Sequence, residues 1–368
     1  MPLNYPWAAA KLVSILPLFA GLICEPLTLM CEKYSMKAAG QFLPEWAPVN
    51  SVLLVWPYPH GDWQVNYPDI VECYWGILQA LSSEVAVGLL VHPSLDCSAL
   101  SEEMNRRAVN HLNITVRVTS YDDTWIRDYG PLSTTAGYIS YTFNGWGGKY
   151  SALNDNAVPV RLGDYLDAPV TKYEFVCEGG GLETDGETLL LNANCIVDDN
   201  RNPGWDRASI EDYLRQTLGL HKFAWLDNIC LTGDDTDGHI DTIARFAAPG
   251  RVVYSGPNAA HVDAAVLAEL HRQLDQIAQV NGWQLLALPS PMYRSLIDGR
   301  FLPCTYANFL IVNNCVFAPI YGLSEDTQAL EILGAAFPDR RIIPVRCEAL
   351  LEQHGSLHCA TMQIAHLI

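Results

Sequence analysis

The 368-residue sequence has no C-x-x-C pair, although it carries 11 cysteines. Scattered thiols in odd number argue against a disulfide framework or a zinc site, and for a reducing compartment, taken here as the cytoplasm. Most of them are expected to be small buried hydrophobes. Basic residues are scarce: 22 Lys and Arg stand against 41 Asp and Glu, a formal net charge of −19. That balance argues against nucleic acid or an anionic membrane as partner and is compatible with a cationic ligand. No Gly/Ser-rich or Pro-rich linker, low-complexity tract or repeat is visible. The apolar run from Leu12 to Cys24 is interrupted by Pro17 and stopped by Glu25 and Pro26. It is too short to span a bilayer, and with only Lys11 ahead of it and Ile23 before Cys24 it makes a poor signal peptide. Residues 1–40 are therefore expected to be an extension outside the core fold, one that a start at Met30 or Met36 would mostly remove. Residues 41–368 then form the folded domain.

What is present is an apolar fraction of 49%, enough for a large core. Ser51–Trp56, Val85–Val91 and Ile114–Val118 read as strands, with a helix over Asp69–Glu84 and a short one near Glu102–Val109. Tyr138–Phe143 and Tyr173–Cys177 follow as strands. Asp206 is expected to cap a helix stopped by Gly219. Strands near Thr242–Phe246 and Val252–Tyr254 precede the longest helix, Ala260–Val280, with Val262, Ala265, Leu267, Leu270 and Leu274 on its apolar side. Leu285–Leu288 is a strand, and Phe309–Val312 and Cys315–Ile320 form a hairpin on Asn313-Asn314. A Ser324-capped helix and the strand Arg341–Val345 lead to the terminal segment. Strands and single helices alternate without a break in composition, which fits one closed α/β body.

Three stretches carry the chemistry. Gly233-Asp234-Asp235-Thr236-Asp237-Gly238-His239-Ile240-Asp241 packs four carboxylates and an imidazole between two glycines and an apolar run. On an extended backbone His239 and Asp241, two apart, share a face. Glu178 stands at a strand end before Gly179-Gly180-Gly181, glycines that suggest backbone brought close to something. Asp128 lies in Trp125-Ile126-Arg127-Asp128-Tyr129-Gly130-Pro131, just past a buried strand, where α/β proteins place binding groups. Strand-end acids that cluster imply a cationic ligand or a metal, and a guanidinium suits paired carboxylates. Cys359, in Gly355-Ser356-Leu357-His358-Cys359, has the most unusual neighbours of the cysteines. On a strand His358 would face away from that thiol, so a partner such as His239 must come from elsewhere.

These stretches, with Phe143-Asn144-Gly145-Trp146-Gly147-Gly148, Asn200-Arg201-Asn202-Pro203 and Leu302-Pro303-Cys304-Thr305-Tyr306-Ala307-Asn308-Phe309, resemble the agmatine deiminases. That family belongs to a guanidine-modifying superfamily that also holds arginine deiminase and bacterial peptidylarginine deiminase. The resemblance runs from about Leu43 to the end. It implies a single-domain, five-bladed, pseudo-symmetric α/β propeller (the pentein fold) of ββαβ units. It implies Cys359 as nucleophile, His239 as general acid/base, and Glu178, Asp128 and Asp241 as carboxylates that hold the guanidinium, with Trp125 lining the substrate. The implied reaction is covalent, needs no cofactor or metal, and takes agmatine to N-carbamoylputrescine and ammonia. Gly181 stands where several members have Ser, and the extension has no counterpart in the family pattern.

Three rivals are kept. Deimination of arginine, free or peptidyl, would call for a cation to meet an α-carboxylate, and the motif stretches offer only Arg127 and Arg245. A metal hydrolase would use His239, Asp241 and Asp237, although the spacing is not that of an EF-hand. A polyamine-binding protein without catalysis would need the acids and aromatics but no thiol. A homo-oligomer is left open.

Overall fold

A hairpin of antiparallel strands, a helix and a further strand parallel to the second recurs around the chain in the computed structural model, which describes residues 40–365. Leu132–Thr134 pairs antiparallel with Gly137–Thr142, which runs parallel to Val170–Val176. The pattern repeats in Glu183–Thr184, Thr188–Asn192 and Lys222–Leu226. It returns in Ala244–Ala248, Arg251–Ser255 and Gln284–Leu288, and again in Leu310–Val312, Cys315–Ile320 and Arg341–Arg346. The remaining unit is assembled from both ends of the chain. Thr361–Ala365 pairs antiparallel with Val49–Val55, which lies parallel to Ala86–Val91, itself parallel to Ile114–Val118. A short ribbon, Tyr293–Arg294 with Phe301–Leu302, is added outside this pattern. The described residues form one compact unit, a mixed α/β domain.

Parallel neighbours require a crossover, and the crossovers are helices. Tyr67–Ser82 carries Ile70, Tyr74, Trp75, Ile77, Leu78 and Leu81 on its buried face. Each such side chain contributes roughly 1.5–3 kcal/mol by leaving water. Asp206 caps Arg207–Leu218 by accepting from the Ser209 N–H at 2.8 Å, and Gly219 ends it at φ 64°. The hairpin on Asn313-Asn314 forms as expected, with Asn313 at φ 49°.

Two helix readings need correction. The longest helix is Ala264–Asn281 and buries Leu267, Leu270, Leu274 and Ala278, whereas Val262 and Ala265 are exposed. The i, i+3, i+4 rhythm starts only at Leu267, so the first turn of the expected helix has no core to pack on. Ser324 does not cap the helix Asp326–Ala336; Glu325 occupies the cap position without a side-chain cap bond, and the Ser324 hydroxyl donates to the Glu325 carboxylate instead.

The links between successive units all bear on one place. Asp128 lies on the link from the first unit to the second, and Glu178 on the next. His239 and Asp241 follow Lys222–Leu226, Asn308 follows Gln284–Leu288, and Cys359 follows Arg341–Arg346. The expected extension, residues 1–40, lies outside the described residues except for Gly40.

Candidate active site

Cys359 is buried, and its sulfur takes a hydrogen bond from Asn308 Nδ2 at 3.2 Å. The thiol points at Asp241 Oδ2, 3.5 Å away. It does not sit on a strand as expected: Thr361 begins the strand, and the preceding residues form a turn. Asn308 Oδ1 holds that turn, accepting from the His358 N–H at 2.9 Å and the Cys359 N–H at 3.2 Å. A Cβ at Gly355 would come within 2.4 Å of the Trp125 ring, so the turn packs directly on that indole.

His239 lies between two acids, with Nδ1 3.4 Å from Asp128 and Nε2 3.7 Å from Glu178. Neither separation makes a well-formed hydrogen bond. Both ring nitrogens, and Asp241 Oδ1, are buried with no hydrogen-bond partner among the described residues. The expectation that His239 and Asp241 share a strand face is corrected. Ile240–Thr242 is a 3-10 turn, and the strand starts at Ala244. Asp234 bends the loop first, accepting from the Thr236 hydroxyl at 2.7 Å and the Gly238 N–H at 2.5 Å. The two side chains still serve one site because a tight turn, like a strand, can bring residues two apart together.

Glu178 is fully buried and receives Arg201 Nε at 2.9 and 3.0 Å. The same guanidinium reaches Asp198 at 2.8 Å, Asp237 at 2.9 Å and the Thr236 carbonyl at 3.1 Å. It thereby fastens Glu178 to the loop that carries His239. Asp237 is turned toward Arg201 and Lys149, so it does not join His239 and Asp241 as the metal reading required. Asp128 takes the Trp146 indole N–H at 2.9 Å and the Gly180 N–H at 3.1 Å. A Cβ on Gly180 would lie 2.7 Å from both Asp128 Oδ1 and His239 Nδ1, which is why the glycine run stands there.

Protonation follows from these contacts. Burial pushes the Asp128 carboxyl up to about 6; His239 opposes this, while Asp241 and Glu178 add to it. Burial would strip the His239 proton, but Asp128, Glu178 and Asp241 outweigh it and raise the ring to about 9. Burial resists ionisation of Glu178 and Asp241, yet His239 and Arg201 hold the first below its usual value, and His358 chiefly holds the second. Burial, then Asp241 and Asp128, push the Cys359 thiol well above its usual range.

A cavity of about 410 Å³ opens above the thiol, with Trp125, Asp128 and Trp146 among its walls. Acids also line it: Asp62, Asp123, Asp235, Asp298 and Glu352. Its Arg300 is bound to Asp298 and donates to the Glu352 carbonyl at 2.6 Å. Arg127 and Arg245, the cations weighed for an α-carboxylate, are instead buried. Both reach Glu45, at 3.1 and 2.6 Å, and Arg245 also reaches Glu183 at 2.5 Å.

Of the predicted site residues, Trp125, Asp128 and Cys359 line the cavity, Asp241 faces the thiol, and His239 and Glu178 join them through the contacts of His239 with Asp128 and Glu178. Asn308, Arg201 and Trp146 lay within recognised stretches, but their contacts could not be read from spacing. Glu45 gave no signal at all.

The agmatine deiminase of Stutzerimonas stutzeri is 31% identical over 360 residues, covering 88% of this chain and 95% of that protein. A solved agmatine deiminase of C. jejuni, a Cys-to-Ser variant with substrate bound, matches with TM-score 0.81 and 29% identity, over 89% of this chain and 97% of that one. DDAH from Pseudomonas aeruginosa, at 11% identity and TM-score 0.53 over 86% of this chain and all (100%) of its own, shares the fold alone. The model of the Porphyromonas-type peptidyl-arginine deiminase family matches residues 41–365, and the chain belongs to that family.

Proposed function

We propose that the protein is an agmatine deiminase, hydrolysing the guanidinium of agmatine to N-carbamoylputrescine and ammonia. The observation that carries this reading is a thiol 3.5 Å from one buried carboxylate, beside an imidazole flanked by two others at 3.4 and 3.7 Å. A planar cation with five N–H donors matches such a set of acceptors.

In this reading Asp128, Glu178 and Asp241 hold the guanidinium, and Trp125 covers it. Its positive charge cancels the repulsion from Asp241 and Asp128 that keeps the proton on Cys359, so binding promotes the thiolate. The thiolate attacks the guanidinium carbon to give a tetrahedral adduct. His239, protonated at neutral pH, gives its proton to the departing ammonia and leaves a thiouronium. The now neutral His239 takes a proton from water, whose oxygen attacks the same carbon. Collapse breaks the C–S bond, its electron pair returning to sulfur as the thiolate, while the adduct's O–H proton passes to the released ammonia and leaves the neutral urea product.

Arginine and arginyl peptides are the alternatives within the superfamily. The acidic cavity favours a substrate whose far end is an amine over one that bears a carboxylate, because Arg127 and Arg245 are committed to Glu45 and Glu183. For the fold, we infer a closed five-bladed propeller, supported by the recurring ββαβ units and by the pairing of the last strand with the first. The cysteines among the described residues are free, and no described helix is long and apolar enough to cross a membrane. These observations are consistent with the cytoplasm, which we propose as the location.

The test supplies agmatine, arginine and an arginyl peptide side by side and measures ammonia and the ureido product. Agmatine should be the preferred substrate. Cys359→Ser should lose all turnover, since a hydroxyl is a far weaker nucleophile at neutral pH, and should still bind agmatine. Substantial turnover by that variant would end the covalent mechanism.

A further inference from the structure

Behind the carboxylates lies a second buried cluster that the mechanism does not use. His358 is buried, with Nδ1 2.7 Å from Asp241 Oδ2 and Nε2 2.6 Å from Glu45 Oε1. Glu45 belongs to the segment that runs into the first strand; Phe42 and Leu43 tie this segment down through N–H bonds to Leu218 and Ser133. Its carboxylate also meets Arg127 at 3.1 Å, Gln363 at 2.8 Å and Arg245 at 2.6 Å. Three of these partners are sequence neighbours of site residues: Arg127 precedes Asp128, His358 precedes Cys359, and Arg245 follows Asp241 by one turn and a strand start. The site residues face the cavity while these neighbours converge on one acid.

We propose that Glu45 and His358 are positioning residues for Asp241. His358 fastens Oδ2 and so leaves Oδ1, which has no partner among the described residues, directed at substrate. Glu45 fixes the imidazole by its other nitrogen. A doubly protonated ring would donate to both carboxylates, whereas burial, Arg127 and Arg245 lower the proton affinity of His358 against the pull of Glu45 and Asp241. The same donation draws charge from the oxygen that the Cys359 thiol faces. The proposal rests on the deiminase reading for its kinetic readout, but the thiol readout stands without it.

The groups around these atoms are few. Asp241 and Asp128 carboxylates, the Arg127 guanidinium, the Asn308 amide and the Ser356 backbone act on the thiol; Asp241, Glu45, Arg127 and Arg245 act on His358. The decisive comparison is therefore His358→Ala against His358→Asn. Asparagine places an amide N–H where Nδ1 stood and can still donate to Asp241, but it cannot reach Glu45. Loss of one hydrogen bond to a charged group corresponds to about tenfold or more in binding. In His358→Ala the KM for agmatine should rise by about that factor with kcat changed less, as when uniform binding is lost. The pH midpoint of Cys359 alkylation by iodoacetamide should also move up by about one unit, because Asp241 then repels the thiolate unopposed. His358→Asn should recover most of both effects. Glu45→Gln should move KM and midpoint in the same direction as His358→Ala; should it fail to fold, the His358 pair still decides. Equal effects of Ala and Asn, or no effect of Ala on KM and midpoint, would overturn the relay. If wild-type protein releases no ammonia from agmatine, the activity reading fails, and the alkylation midpoints alone judge the relay.

Discussion

At the scale of single residues, the site holds its charges against their ordinary preferences. The Cys359 thiol is pushed up by burial and by its acidic neighbours, and His239 is raised to about 9 by three acids despite burial. Burial raises Asp128 to about 6. In the free enzyme kcat/KM then depends on Asp128 being ionised and His239 being protonated. The sign follows directly: activity should rise as pH climbs through about 6, where Asp128 loses its proton, and fall above about 9, where His239 loses its own. A pH series of kcat/KM on agmatine checks both limbs, and Asp128→Asn should remove the acid limb along with most of the activity. A profile flat across pH 6 would show that Asp128 does not titrate as argued. Cys359, His239 and the three acids could be singled out as candidates because their stretches together carry the family resemblance, whereas each stretch alone also suits a turn or a buried strand. Glu45 could not be, since a lone acid between Pro44 and Trp46 looks like any loop residue, and only the four side chains gathered around it reveal its place.

At the scale of elements, the links between units carry the function and the strands carry the frame. Two of those links touch at Gly180, where an added Cβ would sit 2.7 Å from Asp128 and from His239. Gly180→Ala should therefore displace both side chains and lower kcat/KM by roughly a hundredfold, the scale expected for an ångström of misplacement. A wild-type value would mean that the backbone yields there at no cost to geometry. Arg201 acts on the same loops from behind. Arg201→Met would leave Glu178 charged, fully buried and without its guanidinium, which should cost about 3–5 kcal/mol in urea unfolding. A loss below about 1 kcal/mol would show that Glu178 finds another partner or takes up a proton. Element type was mostly readable from periodicity, and helix starts less so. At Val262 and Ala265 apolar residues continue a pattern that has nothing to pack on, and at Ser324 the hydroxyl turns to a neighbouring carboxylate instead of the helix.

At the scale of the whole molecule, residues 41–365 match the family model, and the described core starts at its edge. We propose that the chain before residue 41 lies outside the working domain. Removing residues 1–36 should leave agmatine turnover unchanged and shift Tm by no more than a few degrees; a larger drop would place that segment in the core. By itself the sequence determined the α/β class and the order of most strands and helices, because periodicity and turn residues are local properties, and it named candidate site residues through the motifs they share with a family. The tertiary structure decided which residues meet. It seated His358 on Asp241, set Arg201 behind Glu178 and gathered two arginines and a histidine on Glu45, 313 residues from His358. Such pairs leave no periodic trace, since a buried charge is fixed by whatever the fold brings within about 3 Å of it, and that distance is set by links far apart in the chain.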